Sequence, residues 1–115
     1  MSDKIKNILE KYVDGLFRII GDDLKQVILY GSYARGEQEE DGEVSDIDIM
    51  ILVDVSEENI KELESKVLDY SYDLDLEYGI LLSPIIENIE NYNNRAKYMA
   101  FYKNIQNEGV LLKSI

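Results

Sequence analysis

Apolar residues fall three and four apart along the first twenty positions: Ile5, Ile8, Leu9, Tyr12, Leu16, Ile19 and Ile20. That spacing predicts a helix from about Lys4 to Ile20, capped by Ser2 or Asp3 and ended by Gly21-Asp22-Asp23. The pattern then changes. Gln26-Val27-Ile28-Leu29-Tyr30 is a short apolar run of strand formers stopped by Gly31, which predicts a buried strand. From Gly31 to Val44 no period survives, and Gly at 31, 36 and 42 among polar residues predicts a turn and an exposed loop. Asp46 to Val53 begins in strict alternation and finishes as a continuous apolar run, as a strand does when it enters a core from a polar end.

Ser56 with Asn59 onward opens a second predicted helix, in which Ile60, Leu63, Val67, Leu74 and Tyr78 keep a helical spacing up to Gly79. Tyr70 to Tyr78 also alternates with period two and by itself would read as a strand. The unbroken spacing from Ile60 favours the helix. Ile80 to Ile86 is a third strand, with Pro84 placing its end at an edge or a bulge. Tyr98, Phe101, Tyr102 and Ile105 mark a last helix over Arg95 to Gln106, and Val110-Leu111-Leu112 suits a short final strand. No crossover helix fits between the first two strands, so they pair antiparallel. The expected fold is α/β, a small mixed β-sheet with flanking helices, in a single domain over residues 1–115.

Composition narrows the chemistry. The chain of 115 residues has no Cys and no His. Disulfides, thiolate catalysis, Ser-His triads and imidazole metal ligands are therefore excluded. Carboxylates, hydroxyls, Lys, Arg and whatever ion they hold must do any chemistry. With 12 Lys+Arg against 24 Asp+Glu the net charge is −12, which repels nucleic acid, and no basic stripe offsets it locally. No direct nucleic-acid binding is expected. An acidic chain still binds a polyphosphate when divalent cations sit between the two negative partners. No apolar run approaches the roughly 20 residues of a membrane helix, and Met1 to Lys6 lacks a signal peptide's apolar stretch, so a cytoplasmic protein with no membrane partner is expected.

One stretch carries a specific chemical signal: Gly31-Ser32-Tyr33-Ala34-Arg35-Gly36, a loop, then Ser45-Asp46-Ile47-Asp48. A strand ending in Gly-Ser places a turn without a Cβ and a hydroxyl at the sheet rim, where backbone N–H groups can converge on phosphate oxygens. Asp46 and Asp48, two apart on a strand, leave the same face about 7 Å apart, while Ile47 and Ile49 point into the core. Two carboxylates on one face repel each other unless a cation lies between them, and Mg²⁺ is the hard cation that Asp oxygens select. Two such ions about 4 Å apart would clamp the attacking and leaving oxygens of a phosphoryl displacement. Arg35 adds a fixed positive charge for the phosphate tail. A solvated hairpin would explain the acids as a soluble edge, but not why they lead directly into the apolar run Met50 to Val53. The acids from Glu37 to Glu43 read as a solvated loop, Asp73-x-Asp75 as a helix surface, Lys97 and Lys103 as solvated.

These residues resemble the signature of the DNA polymerase β-like nucleotidyltransferase superfamily, and the fuller string resembles its minimal nucleotidyltransferase (MNT, MntA-like antitoxin) branch. The resemblance covers nearly the whole chain and implies a polymerase β-like nucleotidyltransferase fold. It implies that Gly31, Ser32 and Arg35 bind the nucleotide phosphates of ATP, and that Asp46 and Asp48 are catalytic and hold two Mg²⁺ ions. It further implies AMP transfer to a hydroxyl, and, as a partner, a HEPN-domain toxin that the protein neutralises as its antitoxin. Active members of the superfamily place a third carboxylate on a neighbouring strand. Here Gly79 falls near that position, and Asp75, Glu77 or no residue serves. Two other functions stay open: a nucleotide-binding antitoxin acting by docking, and a small-molecule nucleotidyltransferase, which generally needs an added helical domain.

Overall fold

The computed structural model describes residues 1–36 and 46–114. Ser45 and the acidic stretch from Glu37 to Glu43 lie outside the described residues. In chain order the elements are α1 (Asp3–Ile20), a single 3₁₀ turn (Gly21–Asp23), β1 (Leu24–Tyr30), α2 (Ser32–Arg35), β2 (Asp46–Val53), α3 (Glu57–Tyr78), β3 (Leu81–Asn88), α4 (Ile89–Arg95), α5 (Ala100–Glu108) and β4 (Val110–Ser114).

The four strands form one sheet in the order β3-β2-β1-β4. β1 pairs antiparallel with both β2 and β4, and β3 runs parallel to β2 after the α3 crossover. The mixed sheet expected from the missing crossover is therefore present. Alternation along β2 divides the core in two. Ile47, Ile49, Ile51 and Val53 face a cluster built with Leu9, Tyr12 and Leu16 of α1 and Val67 and Leu74 of α3. Met50 and Leu52 face the other way, onto Ile28, Tyr92 of α4 and Ile105 of α5. Asp46 and Asp48 begin this second row, so the acids and the α4–α5 layer share one face of the sheet.

Local signals explain the element ends. Ser2 caps α1 by accepting the Ile5 N–H at 3.2 Å. Gly79 closes α3 in the left-handed region at φ 65°, with its N–H on the Asp75 carbonyl at 2.9 Å, so Tyr70 to Tyr78 is helical. Helices α1 and α3 are locked through a buried polar pair. Ser71 Oγ donates to the Val67 carbonyl at 2.7 Å, which leaves the Tyr12 hydroxyl to donate to Ser71 at 2.8 Å. Tyr70 stacks on Tyr12 with ring centres 5.5 Å apart, lying over Gly15, where any Cβ would meet the Tyr70 ring.

Four details differ from the sequence expectation. β1 starts at Leu24, two residues early, and the Gly-Ser turn is wound into the short helix α2. Pro84 sits in the middle of β3 rather than at its end, but β3 is an edge strand, the position that tolerates a missing N–H. A helix absent from the sequence expectation, α4, precedes the last one. α4, Ile-Glu-Asn-Tyr-Asn-Asn-Arg, has too little apolar surface and too many Asn to announce itself as a helix. It forms because Asn88 accepts the Asn91 N–H at 3.1 Å and Tyr92 is buried against the sheet. α5 accordingly begins at Ala100 instead of Arg95.

Candidate active site

β1 ends at the sheet rim in Gly31, which adopts φ 77° and ψ −155°, a conformation open essentially to glycine alone. Its Cα lies against the Asp48 carboxylate, and a Cβ there would collide with Asp48 Oδ2. Tyr30 and Asp48 are direct cross-strand partners. The turn and the second acid are thus brought together by strand register rather than by the loop between them. Ser32 opens α2, whose first N–H groups have no intrahelical acceptor, and the Arg35 N–H closes the turn on the Gly31 carbonyl at 3.2 Å.

Gly31, Arg35 and Asp48 line a cleft of about 260 Å³ whose opposite wall is Phe101, Asn104 and Glu108 of α5, with Tyr30 and Ile105 completing it. Arg35 forms an ion pair with Glu108 at 3.8 Å across this cleft. Tyr30 meets Phe101 edge to face at 5.9 Å. Burial first, then the Asp48 charge, pushes the Tyr30 hydroxyl up to about 12, so it stays neutral. A larger cleft of about 420 Å³ lies between α1 and β4. It contains none of the Gly-Ser or Asp-x-Asp residues and is not the site of this chemistry.

Asp46 is exposed and Asp48 partly buried at the start of β2. Burial and then the Asp46 carboxylate push the Asp48 carboxyl up from its ordinary value, while Arg35 pulls it down. Two hard oxygen donors on one face, each unfavourable to the other's charge, suit a divalent cation whose remaining ligands come from phosphate and water. The donor set therefore fits Mg²⁺.

Of the alternatives for a third carboxylate (Asp75, Glu77 or none), neither Asp75 nor Glu77 is at this face. Both residues belong to α3, which packs on the opposite side of the sheet. Asp75 Oδ1 accepts the Leu82 N–H at 2.8 Å and so fastens the start of β3, and Glu77 pairs with Lys11 of α1 at 3.9 Å. In the β3 register, Leu81 stands beside Asp46 and Ser83 beside Asp48. Among the described residues no group of three acids is placed to hold a metal. The far wall of the cleft was missed by the sequence reading. The sequence pattern places Phe101 and Ile105 on the last helix, and only the packing of α5 across β1 turns that helix toward Asp48.

The fold and this rim define a class of protein. Residues 3–111 match the nucleotidyltransferase domain family, and the chain belongs to it. Two relatives from Methanocaldococcus jannaschii carry the name "putative protein adenylyltransferase". One is 34% identical over 90% of this chain and 93% of its own length, the other 36% identical over 93% and 97%. Two solved structures share the fold. A toxin–antitoxin crystallised with AMP-PNP aligns with a TM-score of 0.53 at 19% identity, over 92% of this chain and 73% of the other. A mutant of the toxin–antitoxin MntA-HpeT aligns with a TM-score of 0.55 at 16% identity, over 92% and 73%. Among the described residues no helix is long and apolar enough to cross a membrane.

Ser32 and Arg35 are expected to act on the phosphate tail. Ser32→Ala should weaken ATP more than AMP in calorimetric titrations, because the hydroxyl and the α2 amides would face the outer phosphates. Arg35→Ala should cost more, about 1.5–3 kcal/mol for a contact to a charged group. Its loss would also remove the 3.8 Å ion pair with Glu108. Equal losses for ATP and AMP in both variants would place the turn away from the outer phosphates.

Proposed function

We propose that this protein binds ATP·Mg²⁺ and transfers AMP to a hydroxyl of a partner protein, a HEPN-type toxin that it thereby neutralises. The observation that carries the reading is the contact of Gly31 with the Asp48 carboxylate, which sets the Gly-Ser turn directly beside a pair of same-face acids. The names of the M. jannaschii relatives support adenylyl transfer to protein. The shared fold of a toxin–antitoxin crystallised with AMP-PNP supports the nucleotide and the kind of partner.

In this reading Ser32 and the first amides of α2 hold the outer phosphates, Arg35 neutralises their charge, and Asp46 and Asp48 hold the metal. Bound Mg²⁺ supplies charge neutralisation at the α-phosphate and at the departing pyrophosphate. The acceptor oxygen attacks the α-phosphorus and gives up its proton to solvent, a new P–O bond forms, and the bond to the bridging oxygen breaks, releasing pyrophosphate. A tyrosine hydroxyl, with an ordinary pKa near 10, demands less of a base than an aliphatic alcohol. That suits a face with no third acid among the described residues and favours Tyr as the acceptor.

The same missing acid favours a second reading, a nucleotide-binding antitoxin that acts by docking without turnover. Intact mass separates the two. Incubation with ATP, Mg²⁺ and a HEPN-type toxin that this protein neutralises should add one or more AMP units to that partner, and Asp46→Asn should abolish the gain. No adduct, with neutralisation retained by Asp46→Asn, overturns transfer in favour of docking.

A further inference from the structure

Helix α3 carries a row of large apolar side chains that the fold does not use. Leu68, Tyr72 and Leu76, four residues apart, are 46%, 63% and 71% exposed. Their spacing puts them on one stripe, turned away from Ile60, Val67, Ser71 and Leu74, the buried side of the helix. Single exposed apolar residues are ordinary, whereas three in register on a well-formed helix resemble one side of a helix-in-groove or helix–helix contact. The stripe is not isolated. Leu68 also lines a cleft of about 200 Å³ with Pro84, Ile85 and Ile86 of the edge strand β3, room for an apolar anchor side chain.

Charge selects the occupant. α3 bears eight carboxylates against two lysines, a net −6 of the whole chain's −12. Glu64, Asp69 and Asp73 are exposed and border the stripe. A second copy of this chain would bring the same carboxylates against these and be repelled. We propose that the α3 stripe docks a basic amphipathic helix of a partner protein, its Leu or Phe anchors on Leu68, Tyr72, Leu76 and the β3 cleft, its Lys and Arg on the flanking acids. This surface lies across the sheet from Asp48 and needs no nucleotide, so it stands or falls apart from the transferase reading.

The probe is an amidated peptide of about 18 residues, five helical turns, with Leu on one face and Lys on the other. It is titrated into the full chain without ATP. The Leu/Lys peptide should bind and slow hydrogen exchange of α3 relative to α1. The Leu68→Gln/Tyr72→Gln/Leu76→Gln variant, which keeps every charge and removes no buried group, should lose affinity about tenfold. An Ala/Lys peptide of equal charge should bind the wild type about tenfold more weakly. Absence of binding, or binding unchanged by the triple Gln substitution, overturns the proposal, the latter as general attraction between opposite charges. A wild-type dimer in sedimentation that the triple variant converts to monomer also overturns it, by assigning the stripe to a second copy.

Discussion

Asp46→Asn combined with Asp48→Asn is expected to remove Mg²⁺-dependent ATP binding while leaving the fold intact. The two carboxylates start the row of β2 that continues as Met50 and Leu52, and they face outward at the rim, where neither holds up the core. Burial and the Asp46 charge already disfavour ionised Asp48. Replacing both by amides relieves that repulsion, so the urea midpoint should hold or rise slightly. The nucleotide sees the opposite effect. On the proposed reading, without two hard anionic donors a cation between protein and polyphosphate would lose its protein ligands. The affinity loss should be on the order of a hundredfold, as two charged contacts of about 1.5 kcal/mol each would give. Calorimetry with ATP and Mg²⁺, beside a urea titration of the same sample, reads both quantities. Unchanged heats in the double variant would remove Asp46 and Asp48 from the site.

Why these acids could be picked out of the sequence, and the opposite wall of the cleft could not, follows from how each is specified. Asp46 and Asp48 announce themselves because a period-two pattern fixes which face each side chain takes, and acids at the head of so apolar a strand break the usual economy of a core. Gly31 is legible for a similar reason, as a glycine ending a run of strand formers. Those signals are local, within a few residues of chain. Phe101, Asn104 and Glu108 are different. They reach the cleft because β4 returns antiparallel to β1 and lays α5 over Ile28 and Tyr30, a placement no window of sequence contains. The third acid failed for a related reason. Asp75 copies the Asp-x-Asp spacing, but three more helical residues, Gly79 and Ile80 separate it from β3, and α3 keeps it behind the sheet on the Leu82 amide. Spacing alone could not tell a strand position from a helix end. α4 was missed because its stability comes from burying Tyr92 and from the Asn88 cap rather than from helix propensity.

Gly31→Ala is expected to damage both the fold and ATP binding. The first cost is conformational. φ 77° with ψ −155° lies where a Cβ is disfavoured by about 1–3 kcal/mol. The second is specific to the site, because the new methyl group would occupy the space of the Asp48 carboxylate. Asp48 must rotate away or β1 and β2 must part at their rim, and either change breaks the alignment of turn and acid. ATP affinity should therefore fall by well over the tenfold that about 1.4 kcal/mol represents, together with a lower melting temperature. Gly36 supplies the control. It too has positive φ, 71° with ψ 23°, but among the described residues nothing lies within 4 Å of its would-be Cβ. Gly36→Ala should lose about 1 kcal/mol of stability and keep its ATP affinity. Calorimetry and thermal melts on the two variants separate backbone strain from the steric contact. If both lose stability equally and both retain ATP, the Gly31–Asp48 contact is a packing detail and not the hinge of the site.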